Sequence, residues 1–302
     1  MKPLIFDSYH LVKSYLNQFP PEISEQTFTN LFVWRKARPV FYTEINETLV
    51  FLIGDTTDSL TKLLLGPPVG KATLNDILNF LKGQVSGAIR IPKSNLKKES
   101  TENLFIKEDP DNFDYVYRTA ELANLSGRRF AKKRNLIKQC LKNHLCDYEP
   151  ITIENLEECA KMQTRWCDYR QCSRSPGLCD EFSAITELFT NYDKFDLFGG
   201  AIRVNGSIAA FSIGERLNTN TAVCHFEKSM PNFIGLGQLI NQWFAKYSLD
   251  GFDYVNREQD LGIPGLRQAK LSYYPDHMVE KITVRVKDYS HENHALKEIC
   301  MK

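Results

Sequence analysis

The sequence predicts an α/β (α+β) chain built as two tandem units, on three observations. The order helix, hairpin, helix, strand occurs twice along 302 residues. Each occurrence has a tight two-residue turn between apolar runs, Asn46-Glu47 in the first and Asn205-Gly206 in the second. Between them lies one strongly biased stretch, 122–146, which is basic and lacks any Asp or Glu. The expected division is a first unit over 1–120, a basic linking helix over 121–146 and a second unit over 147–302 that carries the site.

In the first unit, Phe28, Leu31, Phe32 and Arg35 fall at helical spacing, with Ser24 as the expected N-cap. Strands are expected at 40–45 and 48–53, and Gly66-Pro67-Pro68 breaks the chain. Thr73 then caps a helix reaching Lys82, and 88–91 reads as a short strand. The polar stretch 92–110 reads as a loop with a small helix.

In the second unit, helices are expected over 153–169 and 181–192, and strands over 197–204, 207–216 and 221–227. A glycine-containing loop, Phe233-Ile234-Gly235-Leu236-Gly237, leads into a helix through Gln238. Leu239, Ile240, Trp243, Phe244 and Tyr247 share one face of that helix, the pattern of core packing. A strand over 252–256 ends in Arg257, Glu258, Gln259 and Asp260. Charged and amide side chains just past a strand end are where an α/β protein keeps its chemistry.

Bulk properties exclude several classes. Hydrophobic content is 42%, charged content 25% and net charge +1, so any bias toward nucleic acid or membrane must be local. No stretch approaches the roughly 20 apolar residues of a membrane span. The N-terminus, MKPLIFDSYHLVKSYL, lacks a long apolar core and a small-residue cleavage site. A cytoplasmic protein with reduced thiols is therefore expected. The spacing of Cys167, Cys172 and Cys179 does not match a structural zinc site. No metal is expected there, and the segment reads as a loop between two helices.

The basic stretch holds Arg128, Arg129, Lys132, Lys133, Arg134, Lys138 and Lys142. A helix would align Phe130, Ile137, Leu141 and Leu145. Arg128 and Lys132 would point away, while Arg134 and Lys138 would flank the apolar stripe and reach toward a cleft. Two readings stand: a solvated basic face, or an anion site for the phosphates of a nucleotide cofactor or of RNA.

These residues also resemble a family. The pieces are Asp114-Tyr115-Val116-Tyr117, the segment LANLSGRRFAKKRNLIKQC, His225-Phe226-Glu227-Lys228, the run from Tyr254 to Gly262, and the run from Gly265 to Pro275. Together they resemble proteins related to the C-terminal catalytic domain of phosphatidylglycerol lysyltransferases, built from two tandem acetyltransferase-like (GNAT) domains. The resemblance implies mixed central sheets flanked by helices, and acyl or aminoacyl transfer. It also implies a donor loop with a Q/R-x-x-G-x-G/A signature. Here the G-x-G is present and Asn232 stands at the leading position, so the loop reads either as a phosphate cradle or as a tight strand-to-helix turn.

Direct transfer needs a base, a donor to the carbonyl oxygen and a proton for the leaving group. His225 and Glu227, two apart on one strand, are expected on one face and are candidate bases. Glu258 is another, and Tyr273 a candidate acid, with Tyr274 unresolved beside it. Asn256, Arg257, Arg267 and Lys270 are candidates for a carbonyl, carboxylate or phosphate, alongside Arg128, Lys132, Lys133 and Arg134. The competing reading is a structural ion-pair network. The expected co-substrate is aminoacyl-tRNA, favoured by the resemblance and the basic stretch, or acyl-CoA, favoured by the glycine loop. No tightly bound cofactor is expected. The acceptor is a small molecule, a peptide or a lipid headgroup. The alternative is a non-catalytic GNAT scaffold that binds a metabolite or RNA.

Overall fold

The computed structural model describes residues 1–57, 61–98 and 101–287. In chain order the elements begin with β1 (Lys2–Pro3), α1 (Tyr9–Gln18), α2 (Phe28–Val33), β2 (Val40–Ile45) and β3 (Thr48–Gly54). They continue with β4 (Lys62–Leu65), β5 (Val69–Gly70), α3 (Leu74–Phe80), β6 (Val85–Pro92), β7 (Leu104–Glu108) and β8 (Asp114–Arg118). Next come α4 (Thr119–Asn124), α5 (Ala131–Asn143), β9 (Cys146–Pro150), α6 (Leu156–Arg170), α7 (Pro176–Thr190), β10 (Leu197–Val204) and β11 (Ser207–Arg216). The chain closes with β12 (Thr221–Ser229), α8 (Leu236–Tyr247), β13 (Tyr254–Asn256), α9 (Pro264–Leu271), β14 (His277–Val279) and β15 (Lys281–Val286).

Two mixed sheets flanked by helices result. One runs β1-β2-β3-β4-β6-β15-β7, with β5 on β3; the other runs β9-β10-β11-β12-β13-β8-β14. The two orders match position by position. In each, one internal pair is parallel, β4 with β6 and β12 with β13, and the other pairs are antiparallel. The two tight turns occupy matching places, with positive φ at Asn46 and Glu47 and at Asn205 and Gly206.

The sheets do not divide at residues 120 and 146. β8 lies in the second sheet and β15, near the end of the chain, lies in the first between β6 and β7. Lys281 opens β15 and is wholly buried, with its ammonium on Glu25 (2.6 Å) and on Asp114 (2.7 Å), the first residue of β8. A buried charge tolerates such a place only when paired.

Several local expectations are corrected. Thr27, not Ser24, caps α2 by accepting from the Asn30 amide. Ser24 instead donates its hydroxyl to Asp114. Stretch 92–110 contains strand β7, an edge strand in which only Leu104 is buried and Phe105 and Ile106 are apolar but exposed. The basic stretch is not one helix: α4 ends at Leu125, which has a left-handed backbone, before α5 begins. Leu122, Leu125, Phe130, Ile137 and Cys140 are the buried residues of the stretch, while Leu141 and Leu145 are exposed. On α8 the buried face is Leu236, Leu239, Ile240 and Phe244, each worth about 1.5–3 kcal/mol, and Tyr247 lies outside it. Cys167 and Cys172 form a disulfide rather than standing reduced.

Candidate functional site

β12 and β13 pair for only three residues, the last being Val223 with Asn256. Beyond that point they part. On β12 the register against β11 shifts, with Ile213 opposite Phe226 and Gly214 opposite Cys224, so His225 is the extra residue of a bulge. On the other side the chain leaves β13 through Arg257 and turns at Glu258, whose φ is +56°. The parallel pairing therefore brings the cluster after β13 beside β12, as the sequence suggested.

The bulge overturns one expectation. It resets the alternation, so His225 and Glu227 point to opposite faces. Glu227 faces α8 and accepts from Arg257 (2.8 Å), Asn241 (3.1 Å) and Ser212 (3.4 Å). Those three donors leave it little lone-pair capacity for a substrate proton. Lys228 does not bend back to it but pairs with Glu181 at 2.6 Å.

His225 faces α2. Its Nδ1 lies 2.8 Å from Glu258 Oε1 and its Nε2 2.9 Å from Glu215. Burial works against the imidazolium, but the hydrogen bonds to Glu215 and Glu258 outweigh it and raise the pKa to about 9. At neutral pH His225 is therefore already a cation, which removes it as a base. Glu258 Oε1 also accepts from Asn30 of α2 at 3.1 Å. Its Oε2 accepts no hydrogen bond among the described residues, and the side chain is 18% exposed. A cavity of about 350 Å³ between the two halves includes Thr27, Phe28 and Glu215 in its wall.

Most of the other candidates are engaged structurally. Asn256 is wholly buried, donating to Asp114 (2.9 Å) and accepting from the Glu258 amide (2.8 Å). Lys270 donates to the carbonyls of Arg257 and Glu258, and burial, then Arg257, lowers its pKa to about 8. Arg267 clamps Asp260 with two 2.8 Å bonds and also reaches Asp111. Arg134 caps the carbonyls of Leu125 and Gly127. Lys133 reaches Ser272 (2.6 Å) and lies over the Tyr273 ring. Asn256, Lys270 and Arg267 hold the loop after β13 in place, Lys133 ties α5 to the residue after α9, and Arg134 holds the turn before α5. Arg128 and Lys132 remain exposed.

Tyr273, not Tyr274, turns inward beside Arg257. Burial pushes its pKa well up, so it is a weak acid. Gly235 has φ +89°, and a Cβ there would meet the Leu136 carbonyl at 2.0 Å. The close approach that requires glycine is thus to α5, the packing of one helix on the next. Around that contact Phe233 meets the His144 ring edge-on, Leu236 is buried in the core and Ile234 is exposed, with Gly237 and Gln238 following in the first turn of α8. Asn30 and the turn after α2 were missed by the sequence reading; nothing local marks them as facing the second sheet.

The chain belongs to the family described as phosphatidylglycerol lysyltransferase, C-terminal, whose model matches residues 16–285. It is 24% identical over 263 residues to an uncharacterized protein of Mycoplasmoides gallisepticum, covering 82% of this chain and 83% of that one. A crystal structure of a conserved protein of unknown function from Bacteroides thetaiotaomicron is similar, with a TM-score of 0.84 and 29% identity, over 94% of this chain and 98% of that chain. The structure of L-PGS from Bacillus licheniformis shares the fold, with a TM-score of 0.65 and 13% identity over 93% of each chain. Among the described residues no helix is long and apolar enough to cross a membrane.

Proposed function

We propose that the chain is an acyl-transfer enzyme that moves an aminoacyl or acyl group from an activated carrier to an amine or hydroxyl, with the opening between β12 and β13 as its active site. The observation that carries this reading is Glu258. One oxygen of its carboxylate is fixed by His225 and Asn30, and the other is unengaged at the point where two parallel strands part. Family membership supports the reaction class, since the family is named for a lysyl transfer.

In this reading the acceptor nitrogen or oxygen attacks the acyl carbonyl while Glu258 Oε2 takes its proton. The tetrahedral intermediate expels the carrier's hydroxyl or thiol, which takes a proton back from Glu258. His225 is a positioning cation that holds Glu258 in one orientation. The preferred carrier is aminoacyl-tRNA, which places the protein in the cytoplasm. Arg128 and Lys132 stand exposed for phosphates on a segment without acids, while the Gly235 backbone, which a CoA pyrophosphate would approach, is covered by α5.

Incubation with labelled aminoacyl-tRNA and, separately, with labelled acyl-CoA tests the proposal. Consumption of the first carrier that depends on Glu258 is expected; consumption of neither overturns it. The paired change Arg128→Ser and Lys132→Ser should weaken tRNA binding and flatten its salt dependence by about two phosphate contacts, leaving stability within about 0.5 kcal/mol. An unchanged salt slope would remove this helix from the tRNA site.

A further inference from the structure

Arg38 lies in the turn between α2 and β2, where its amide donates to the Trp34 carbonyl at 2.9 Å. Trp34 packs against Phe226 of β12, and Asn30, one turn earlier, holds Glu258. The turn therefore overlies the opening between β12 and β13. Its Nε is buried without a partner. Among the described residues the guanidinium makes no hydrogen bond and no ion pair, although the charges acting on it include Glu25, Arg90 and Glu258.

Those neighbouring acids are partly committed. Glu25 Oε2 accepts from Lys281 (2.6 Å), Glu25 Oε1 lies in an ion pair with Arg90 (3.3 Å) without a hydrogen bond, and Glu258 Oε1 serves His225 and Asn30. A guanidinium is a planar fork suited to a carboxylate, and leaving one partly buried and unpaired is costly. Glu258, whose Oε2 accepts no hydrogen bond among the described residues, is one of the charges that act on Arg38. A cation and a carboxylate oxygen close enough to influence each other thus both lack a partner beside the opening. A ligand that was only an anion would satisfy Arg38 while facing Glu258, and one that was only a cation would do the reverse.

We infer that the opening takes a zwitterion as the acceptor, a molecule whose carboxylate docks on Arg38 and whose amine sits at Glu258 Oε2. The substrate class is a free α-amino acid or a short peptide with both ends uncapped. The inference rests on the site assigned above and names its acceptor. Arg38 is a binding residue from the first sheet's half of the molecule, so the site is built from both halves. The amine arrives as an ammonium and first passes one proton by way of Glu258 to solvent; the neutral amine then attacks, and Glu258, ionised again, takes the second proton and returns it to the leaving group.

The test is isothermal titration of the full chain with each free α-amino acid and with diglycine and triglycine. The tightest of these is then compared with its C-terminal amide and its N-acetyl form. The free ligand is expected to bind, and each capped form at least tenfold more weakly. Arg38→Met should erase the preference for the free ligand over the amide, and Glu258→Gln the preference over the N-acetyl form. Arg38→Lys, which keeps the charge and loses the fork, should weaken binding several-fold and guards against misfolding of the Met variant. Capped forms that bind equally well to the wild type, or no binding of any of these probes at millimolar concentration, would overturn the inference. Binding without transfer from any carrier would sink the enzymatic reading alone. Transfer to an acceptor lacking either charge would sink the zwitterion alone.

Discussion

The two sheets have the same strand order but treat their parallel pairs in opposite ways. β4 and β6 stay paired from Lys62 with Val85 to Leu65 with Ile89, and the Gly66 amide continues the contact to the Ile89 carbonyl. The residues at that place are Leu63, Leu64 and Leu65, all buried. β12 and β13 separate after three residues, and the space between them holds His225, Glu227, Arg257 and Glu258. One copy of the arrangement has become core and the other has kept charge. Apolar side chains close a parallel pair because they gain by leaving water. Ionised ones hold it open because each must find a partner or stay wet. The closed half is not idle, since its α2 supplies Asn30 to the open one.

If the division is right, substitutions in the two openings should fail in different currencies. The largest effect is expected for Glu258→Gln, a loss of about 10²–10⁴ in turnover with little change in melting temperature. Turnover within a few-fold of wild type would move the base elsewhere. Leu64→Ala in the closed opening should cost about 2–5 kcal/mol of stability and leave turnover per folded molecule unchanged, which urea melts and active-site titration would separate.

The smallest effect sharpens the electrostatic side. The folded pKa of His225, about 9, lies above the ordinary imidazole value of 6.5. Its stabilising contribution is complete below pH 6.5 and is lost as pH rises toward 9. Lys270 acts in the opposite sense, because a lysine lowered to about 8 adds stability as pH rises above that value. The clean window is therefore pH 6.5–8, where unfolding free energy should fall by about 2 kcal/mol. His225→Gln should flatten that slope. A wild-type stability that stays level across the window would mean that the imidazolium is not held by its two carboxylates.

What could be read in the sequence was local. Asn46-Glu47 and Asn205-Gly206 mark turns because their backbone demands positive φ, and Thr73 marks a helix start because its hydroxyl caps an amide. The meeting of the cluster after β13 with β12 followed from strand order alone. The partners of β8 and β15 were not legible, since alternation along a strand says which faces are buried and not which strand lies alongside. The same holds for Asn30, Arg38 and the bulge at His225. One inserted residue moves a side chain across the sheet, and no residue type announces it.

The exchange of β8 and β15 bears on how the chain is made. A chain emerging from the ribosome folds from its N-terminus. Here the gap between β6 and β7 is filled by residues 281–286, which are synthesised after every strand of the second sheet. Until they arrive the first sheet has two unpaired edges, and the carboxylates of Glu25 and Asp114 wait without their ammonium. Lys281 then closes both sheets in one step. The first sheet is accordingly completed only after every strand of the second has been synthesised.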